Sequence, residues 1–167
     1  MSSYVEPWLR GPLPGVHPLL APVLYAFQEA REDLRKWTSN LTDGQVWDRS
    51  HGLASVGFQI RHIAGSVERL MTYVVRGQLT AQQLAELRAE MEPGTSLNDL
   101  LLLLDRKLAA AEATVRAIDP ATLGETREVG RQRLPTTVGG LLTHIAEHTQ
   151  RHVGQTIVTA KVLKASC

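Results

Sequence analysis

The sequence predicts an all-α protein: a single four-helix-bundle domain over residues 1–167, with a short extra helix between the second and third long helices. Apolar residues recur at spacings of three and four along four long segments, as they do on helices that bury one face. β-branched runs with strict alternation are missing, and proline and glycine gather at a few points instead of separating regularly spaced strands. Four long helices with intervening loops in a chain of 167 residues are typical of a four-helix bundle.

The first two long helices are predicted from their termini and their apolar stripe. The first covers about residues 18–39, with Pro22 in its first turns, where the missing N–H costs least. Residues 40–54 are predicted to be a loop. Ser55 is a candidate N-cap of the second helix, and Gly77 is a candidate C′ residue. One buried stripe of this helix is predicted to contain Val56, Ile60, Ile63, Val67, Leu70 and Val74.

Two further helices are predicted, one from a capping signal and the other from the end of a polar stretch. Thr80 and Gln83 have the spacing of a capping box, which predicts the short extra helix. The last helix is predicted from Thr136 or Thr137 to about Lys164, after the polar stretch 124–135.

The third long helix carries more apolar surface than a simple amphipathic helix needs. Ser96 with Asp99 could cap it, and it is predicted to end near Ile118, before a proline. Five consecutive leucines, Leu100 to Leu104, cover more than one face. This helix is therefore expected to be central in the bundle or to contact a second subunit.

Composition excludes several classes of function. The chain has 18 Lys and Arg against 17 Asp and Glu, a net charge of +1, so it lacks the basic field with which proteins hold nucleic acid. No run approaches the roughly 20 apolar residues of a membrane span, and the first residues, Met1 to Trp8, lack a signal-peptide core. The single cysteine, Cys167, excludes an intrachain disulfide and is a poor nucleophile because it is terminal. We expect a cytoplasmic protein that binds neither nucleic acid nor membranes.

Three of the six histidines lie within nine residues of the last helix: His144, His148 and His152. Each step of four residues turns the chain by about 40° beyond a full turn and raises it by about 6 Å, so the three share one face, along the border of the buried stripe. His62 has the same relation to the stripe of the second helix, where its small neighbours Gly65 and Ser66 are expected to leave room for a ligand or water. The two helices could therefore bring their histidines to one metal ion.

The chemistry of imidazole narrows the kind of metal. Three neutral imidazoles suit Zn²⁺, Ni²⁺, Cu²⁺ or Fe²⁺ and disfavour Mg²⁺ and Ca²⁺, which prefer oxygen ligands. Three protein ligands leave open coordination positions, as in catalytic zinc sites. A solvated row of histidines remains the alternative interpretation. For the isolated His17 and His51, a hydrogen-bonded or solvated side chain is the preferred interpretation.

The segment Gln59-Ile-Arg-His62 in the second helix, followed by His144-xxx-His148-xxx-His152-Val-Gly-Gln155 in the last, resembles the DinB-like (damage-inducible) family of metal-dependent proteins. The resemblance covers the layout of the whole chain. It implies a four-helix bundle, often homodimeric, and metal ligands at His62, His148 and His152, with His144 lining the pocket or making a second-shell bond. Many relatives have Arg where this chain has Val153, which puts any role of that Arg in doubt.

The resemblance also implies a reaction class. Relatives of known activity resemble thiol-dependent transferases or isomerases that use low-molecular-weight thiols. We therefore expect an enzyme of transferase or hydrolase type that binds zinc or nickel and acts on a small molecule, with a metal-activated thiol or water as the nucleophile. The metal, the substrate and any thiol are not identified by the sequence. No role is assigned to Trp8, Trp37 and Trp47 beyond core or dimer contacts.

Two alternatives remain at this stage. His144-Ile-Ala-Glu147-His148 fits the inverted zincin pattern of metalloproteases, with Glu147 as the base. That pattern leaves His152 unexplained, and no Asp or Glu follows it to act as a third ligand; Glu147 and Arg151 also fit a surface ion pair. The other alternative is a metal-binding or structural dimer without catalytic activity. An open pocket with polar groups such as Gln59, Arg69, Tyr73 or Gln155 would favour an enzyme, and a closed leucine-lined one a structural role.

Overall fold

Capping side chains and apolar stripes set the helices of the computed structural model, which describes residues 4–49 and 51–165. The helices are α1 (Ala21–Thr38), α2 (Asp43–Val46), α3 (Val56–Val74), α4 (Ala81–Arg88), α5 (Leu97–Arg116) and α6 (Val138–Ala165). The strands β1 (Thr126–Val129) and β2 (Leu134–Thr137) form an antiparallel hairpin. The four long helices and the short α4 confirm the predicted fold class. In the described part of the chain, no helix has the length and apolar character needed to cross a membrane.

The four long helices α1, α3, α5 and α6 form a ring in which two pairs of consecutive helices lie across from each other. Helix α6 packs against both α1 and α3, and α5 packs against the same two helices from the other side. The consecutive long helices α1 and α3 are therefore diagonal partners, and so are α5 and α6. Such an arrangement needs long connections, because each diagonal link has to cross one end of the bundle.

Contacts between side chains and backbone give the directions of these helices. Gln150 and Lys164 of α6 donate hydrogen bonds to the carbonyl oxygens of Ala26 and Trp37 in α1, so α1 and α6 are parallel. His152 contacts Gln59 while the later Thr159 contacts the earlier Ala54, so α3 runs antiparallel to α6.

The predicted stripe of α3 lies in the core. Val56, Ile60 and Ile63 are fully buried, and only Leu70 among the six stripe residues is partly exposed. The leucine excess of α5 is mostly absorbed by the same core. Leu100 and Leu104 are fully buried, and Leu101 and Leu103 pack against the core from its edge. Leu102 alone of the five is exposed, at 46%. The homodimer remains a prediction.

Three local predictions need correction. The expected loop 40–54 contains α2, whose first turn is closed by a reciprocal capping box between Thr42 and Gln45. The polar stretch expected before the last helix contains the hairpin. Its strands are stabilised by pairing with each other and have no periodic apolar pattern that would predict them. The left-handed residue after α3 is Arg76, with φ of 60°, one position before the predicted Gly77. That residues 1–167 form a single domain stays a prediction.

Trp47 anchors the connection between α1 and α3 to the start of α3. Its Nε1 donates a hydrogen bond of 2.8 Å to the carbonyl oxygen of Thr95, and the guanidinium of Arg61 lies 4.8 Å from its ring centre. The indole lies so close to Gly57 that a Cβ atom there would be 2.7 Å from Trp47 Cε2. Gly57 is therefore required for the close approach of the ring.

Gly57→Ala is expected to destabilise the protein by up to about 2 kcal/mol. Overpacking against a ring that is fixed on several sides costs about 1–3 kcal/mol, and the higher helix propensity of alanine returns about 1 kcal/mol. Urea denaturation measures the difference. Gly154→Ala in α6 is the matched control, because nothing lies within 4 Å of its added Cβ, and it is expected to stabilise by about 0.5–1 kcal/mol. Equal effects of the two substitutions would show that the indole moves aside freely.

Candidate metal centre

The antiparallel packing of α3 against α6 brings His62 next to His148 and His152. The ring centres of His62 and His152 are 4.5 Å apart, as are those of His148 and His152, and His62 and His148 are 5.2 Å apart. One potential ligand atom of each residue lies within 4.8 Å of the others. Among the described residues, no other group of three or more His, Cys, Asp or Glu side chains comes together in this way.

Hydrogen bonds fix the orientation of two of the three rings. Nδ1 of His62 lies 2.7 Å from Oε2 of Glu90, and Nδ1 of His152 lies 2.5 Å from Oε1 of Gln59. A carboxylate or amide oxygen accepts hydrogen bonds, so each Nδ1 carries the proton and donates it. A ring with its proton on Nδ1 has its lone pair on Nε2, and Nε2 of His152 faces Nε2 of His148 at 3.3 Å. This is the arrangement by which partners outside a metal site orient its histidine ligands.

His148 completes the cluster without an orienting partner of its own. Its Nε2 lies 3.3 Å from Nε2 of His152, and its buried Nδ1 has no hydrogen-bond partner among the described protein atoms. Burial, and secondly the charges of His152 and His62, lowers the pKa of His148 to about 4. Burial and the neighbouring His62 also lower the pKa of His152. Both rings are therefore neutral near pH 7, which is the form that binds metals.

The donor set fits a divalent transition metal. Three imidazole nitrogens can bind one ion, and in two of the rings the second nitrogen is already held by a hydrogen bond. Protonation of the three rings would bring positive charges close together, whereas binding one metal ion through their lone pairs avoids this repulsion. The carboxylate of Glu90 is engaged with His62 and Arg69, so hard oxygen donors are scarce at the cluster. The residues present thus fit a divalent transition metal better than magnesium or calcium.

Glu90, which follows α4, is the member of the site that sequence reasoning missed. It is only 4% exposed, and its Oε1 lies 2.8 Å from Nη2 of Arg69, itself 8% exposed. The pair lies over Gly65, where a Cβ atom would be 2.6 Å from Arg69 Nη1 and 2.9 Å from Glu90 Oε1. The small residue was expected to leave room for a ligand or water, and that expectation is wrong: Gly65 makes room for this buried ion pair.

His144 and Glu147 lie beside the cluster, on an exposed face of α6. Nδ1 of His144 is 2.8 Å from Oε1 of Glu147, and Nη2 of Arg151 is 2.5 Å from Oε2 of the same carboxylate. The predicted surface pair of Glu147 and Arg151 is confirmed. His144, with a side chain 46% exposed, is not part of the close group of ligand atoms, although its ring centre lies 5.3 Å from that of His148. The close group of three ligand atoms therefore contains His148 of the inverted zincin pattern but not His144.

The surroundings of the cluster are open on one side. The ring of Phe58 stacks on His62 at 5.3 Å between centres, and Phe58, Gln59 and Gln155 line an open groove that adjoins the histidines. Two of the four polar groups named for an enzymatic pocket are therefore present. Arg69 is buried on Glu90, and Tyr73 lines a separate cavity near the hairpin. His17 and His51 lie outside the cluster, and Cys167 lies outside the described residues.

Lowering the pH from about 7 to about 5 is expected to destabilise the metal-free protein in part through His148. Its pKa is about 4 in the folded state and about 6.5 in the unfolded chain, so between these values the unfolded state takes up the proton first. The stability contributed by the neutral ring is complete above about pH 6.5 and is lost as the pH falls towards 4. Urea midpoints in the presence of EDTA measure this loss. It is expected to be smaller in His148→Gln than in wild type and to change only slightly in His144→Gln, because His144 is a minor cause of the low pKa of His148. Equal losses in all three proteins would contradict the low pKa.

Comparison with known proteins finds a matching family and a solved structure of similar fold. The sequence profile of the DinB superfamily matches residues 26–156, which covers the cluster and most of the bundle. No curated protein matches the chain. YfiT from Bacillus subtilis, described as a probable metal-dependent hydrolase with an unusual four-helix bundle topology, is similar in structure with a TM-score of 0.67. The match covers 92% of this chain and 93% of that chain at 14% identity, so it shows a shared fold.

Proposed function

The chain belongs to the DinB superfamily, and from this premise we propose that it is a metal-dependent enzyme acting on a small molecule. The observation that carries the proposal is the convergence of His62, His148 and His152 on one point beside an open groove. In this proposal the three histidines hold a zinc or nickel ion. Three protein ligands leave coordination positions for substrate, which distinguishes a catalytic site from a closed structural one.

The residues of the chain have separate roles in the proposed site. His148 and His152 are neutral near pH 7 and need not lose a proton before binding. Glu90 and Gln59 hold the Nδ1 protons of His62 and His152, which keeps both rings in the binding orientation. A divalent metal in this position lowers the pKa of a bound water or thiol, which is the chemistry it would supply.

The proposed reaction is a hydrolysis or a transfer to a low-molecular-weight thiol. Both reactions use a deprotonated nucleophile near an electrophilic small molecule, and the described residues that line the groove include no serine or cysteine to act in its place. YfiT, of the same fold, is described as a probable metal-dependent hydrolase, which supports the hydrolytic form. Homodimer formation is a further part of the proposal and rests on the family resemblance.

Turnover by the metal-loaded protein tests the proposal. Zinc- and nickel-loaded samples would be assayed against activated esters and alkylating electrophiles, with water or one of several thiols as the nucleophile. We expect activity that EDTA abolishes and added metal restores, and that is absent in His148→Ala. His144→Ala is the matched control and should keep its activity, because the exposed His144 lies outside the group of ligand atoms. A metal-loaded protein inactive across the whole panel would favour the non-enzymatic alternative.

A further inference from the structure

The groove beside the histidines has an apolar far end. It has a volume of about 660 Å³, which lies within the range of about 300–1,000 Å³ found for small-molecule sites. One wall comes from the connection before α3 and the first turn of that helix, and the other from α6. Two of its apolar side chains are exposed, Leu53 at 38% and Val158 at 55%.

Two residues join this groove to the histidine cluster. Phe58 stacks on His62 at 5.3 Å, and Gln59 accepts the hydrogen bond from Nδ1 of His152, while both also line the groove. One end of the groove is therefore at the proposed metal ligands. A molecule bound along it would place one terminus at the histidines and the other between Leu53 and Val158.

The distribution of charge suits an uncharged tail. Among the described residues that line the groove, only Arg151 is charged, and its guanidinium is held by Glu147 at 2.5 Å. Of the polar side chains, Gln59 accepts a hydrogen bond from His152, and Gln155 lies three residues after His152 on α6, so both belong to the histidine end. The hydroxyl group of Thr159, the other polar side chain, donates to the carbonyl oxygen of Ala54. The far end thus offers contact area without an unpaired charge, and a charged tail would lose its hydration there without compensation.

Gly154 keeps the groove open. It lies inside α6, where glycine is unfavourable for the helix, and its backbone does not need the left-handed conformation. No neighbouring group approaches it: a Cβ atom at this position would meet nothing within 4 Å. Close packing therefore does not explain this glycine, whereas the absence of a side chain leaves free space in the wall of the groove.

We infer that this groove binds the uncharged aliphatic tail of the substrate while the polar, reacting head lies at His62, His148 and His152. The inference rests on the proposed function and adds the substrate class: a small molecule with a tail of several carbons and without a charge at its far end. Short polar substrates would occupy only the histidine end and would bind more weakly.

A series of linear hydroxamates tests the inference without any assay of activity. Their common head binds zinc through two oxygen atoms, and only the tail varies from acetohydroxamate to hexanohydroxamate. Binding to zinc-loaded protein would be measured by calorimetry. Full burial of one methylene corresponds to about a fourfold change in Kd, and since the groove is open we expect at least about a tenfold gain over the four added carbons.

Gly154→Leu places a large side chain in the wall of the groove, and Gly154→Ala, whose added Cβ atom meets nothing within 4 Å, is its control. We expect the leucine variant to keep its zinc content and its affinity for acetohydroxamate but to lose the tenfold gain, which the alanine variant keeps. Zinc uptake and acetohydroxamate binding without any dependence on tail length would overturn the inference and leave the proposed function standing. A wild-type protein that takes up no zinc or nickel would overturn both.

Discussion

His148→Ala is expected to reduce metal affinity by more than about 100-fold, because the substitution removes one of the three ligands of the cluster. This exceeds the loss of about 10–100-fold that is typical when only an orienting partner is removed. Elemental analysis of protein purified without metal-affinity resin should find close to one zinc or nickel ion per wild-type chain and almost none in the variant. The folded helix is expected to persist, since alanine is a good helix former.

His144→Ala tests whether the loss of metal is specific to the proposed ligands or follows the removal of any histidine from this part of α6. His144 lies one turn before His148 on the same helix, yet its side chain is 46% exposed and pairs with Glu147. Its replacement should leave the metal content at the wild-type value. If both variants bind metal like wild type, or if wild type takes up no added zinc or nickel, the three histidines are not a metal site.

Glu90→Ala is expected to cost about 3–5 kcal/mol of stability, because it leaves the buried Arg69 without its carboxylate. The side chains of Glu90 and Arg69 are only 5% and 9% exposed, so little solvent is available to replace the lost partner. The same substitution frees Nδ1 of His62, and we expect metal affinity to fall by about 10–100-fold. Urea denaturation in EDTA measures the first effect, and metal competition titration measures the second.

Two further variants separate these effects. Glu90→Gln keeps an oxygen that can accept a hydrogen bond from His62 but removes the charge beside Arg69. Its metal affinity should therefore stay close to that of the wild type, while its free energy of unfolding should fall. The double variant Arg69→Met, Glu90→Ala removes both buried charges and is expected to be more stable than Glu90→Ala alone. If the double variant loses at least the sum of the two single losses, the residues do not act as a buried pair.

The long helices could be predicted from sequence because their signals are local. The stripe of α3 repeats with the helical period, and Ser55 and Ser96 cap their helices with their own hydroxyl groups. The capping box of Thr42 and Gln45 was equally visible and would have predicted α2. The hairpin was not visible, because strands of four residues carry little periodicity and these two are stabilised by pairing with each other.

The histidines of the site were accessible to sequence reasoning, but their orienting partners were not. His148 and His152 share one face of a single helix, which spacing alone establishes, and His62 has the same position beside the stripe of the second helix. The family resemblance then narrowed the ligands to these three histidines. Glu90 lies in an acidic segment with Glu86 and Glu92 that has the pattern of a solvated face. It is buried only because the connection through α4 folds back over α3, and no local pattern encodes that contact.

The diagonal arrangement of consecutive helices has a consequence for the order in which this protein folds. Helix α6 is synthesised after α1, α3 and α5, and it packs against both α1 and α3. During synthesis, the apolar faces of α1 and α3 that contact α6 therefore stay unpacked until α6 has formed. About half the chain separates His62 from His148, and closing a loop of that length delays the contact between them. Metal binding would therefore report the completion of folding, and an ion that binds only the closed bundle would draw the last helix into place by mass action.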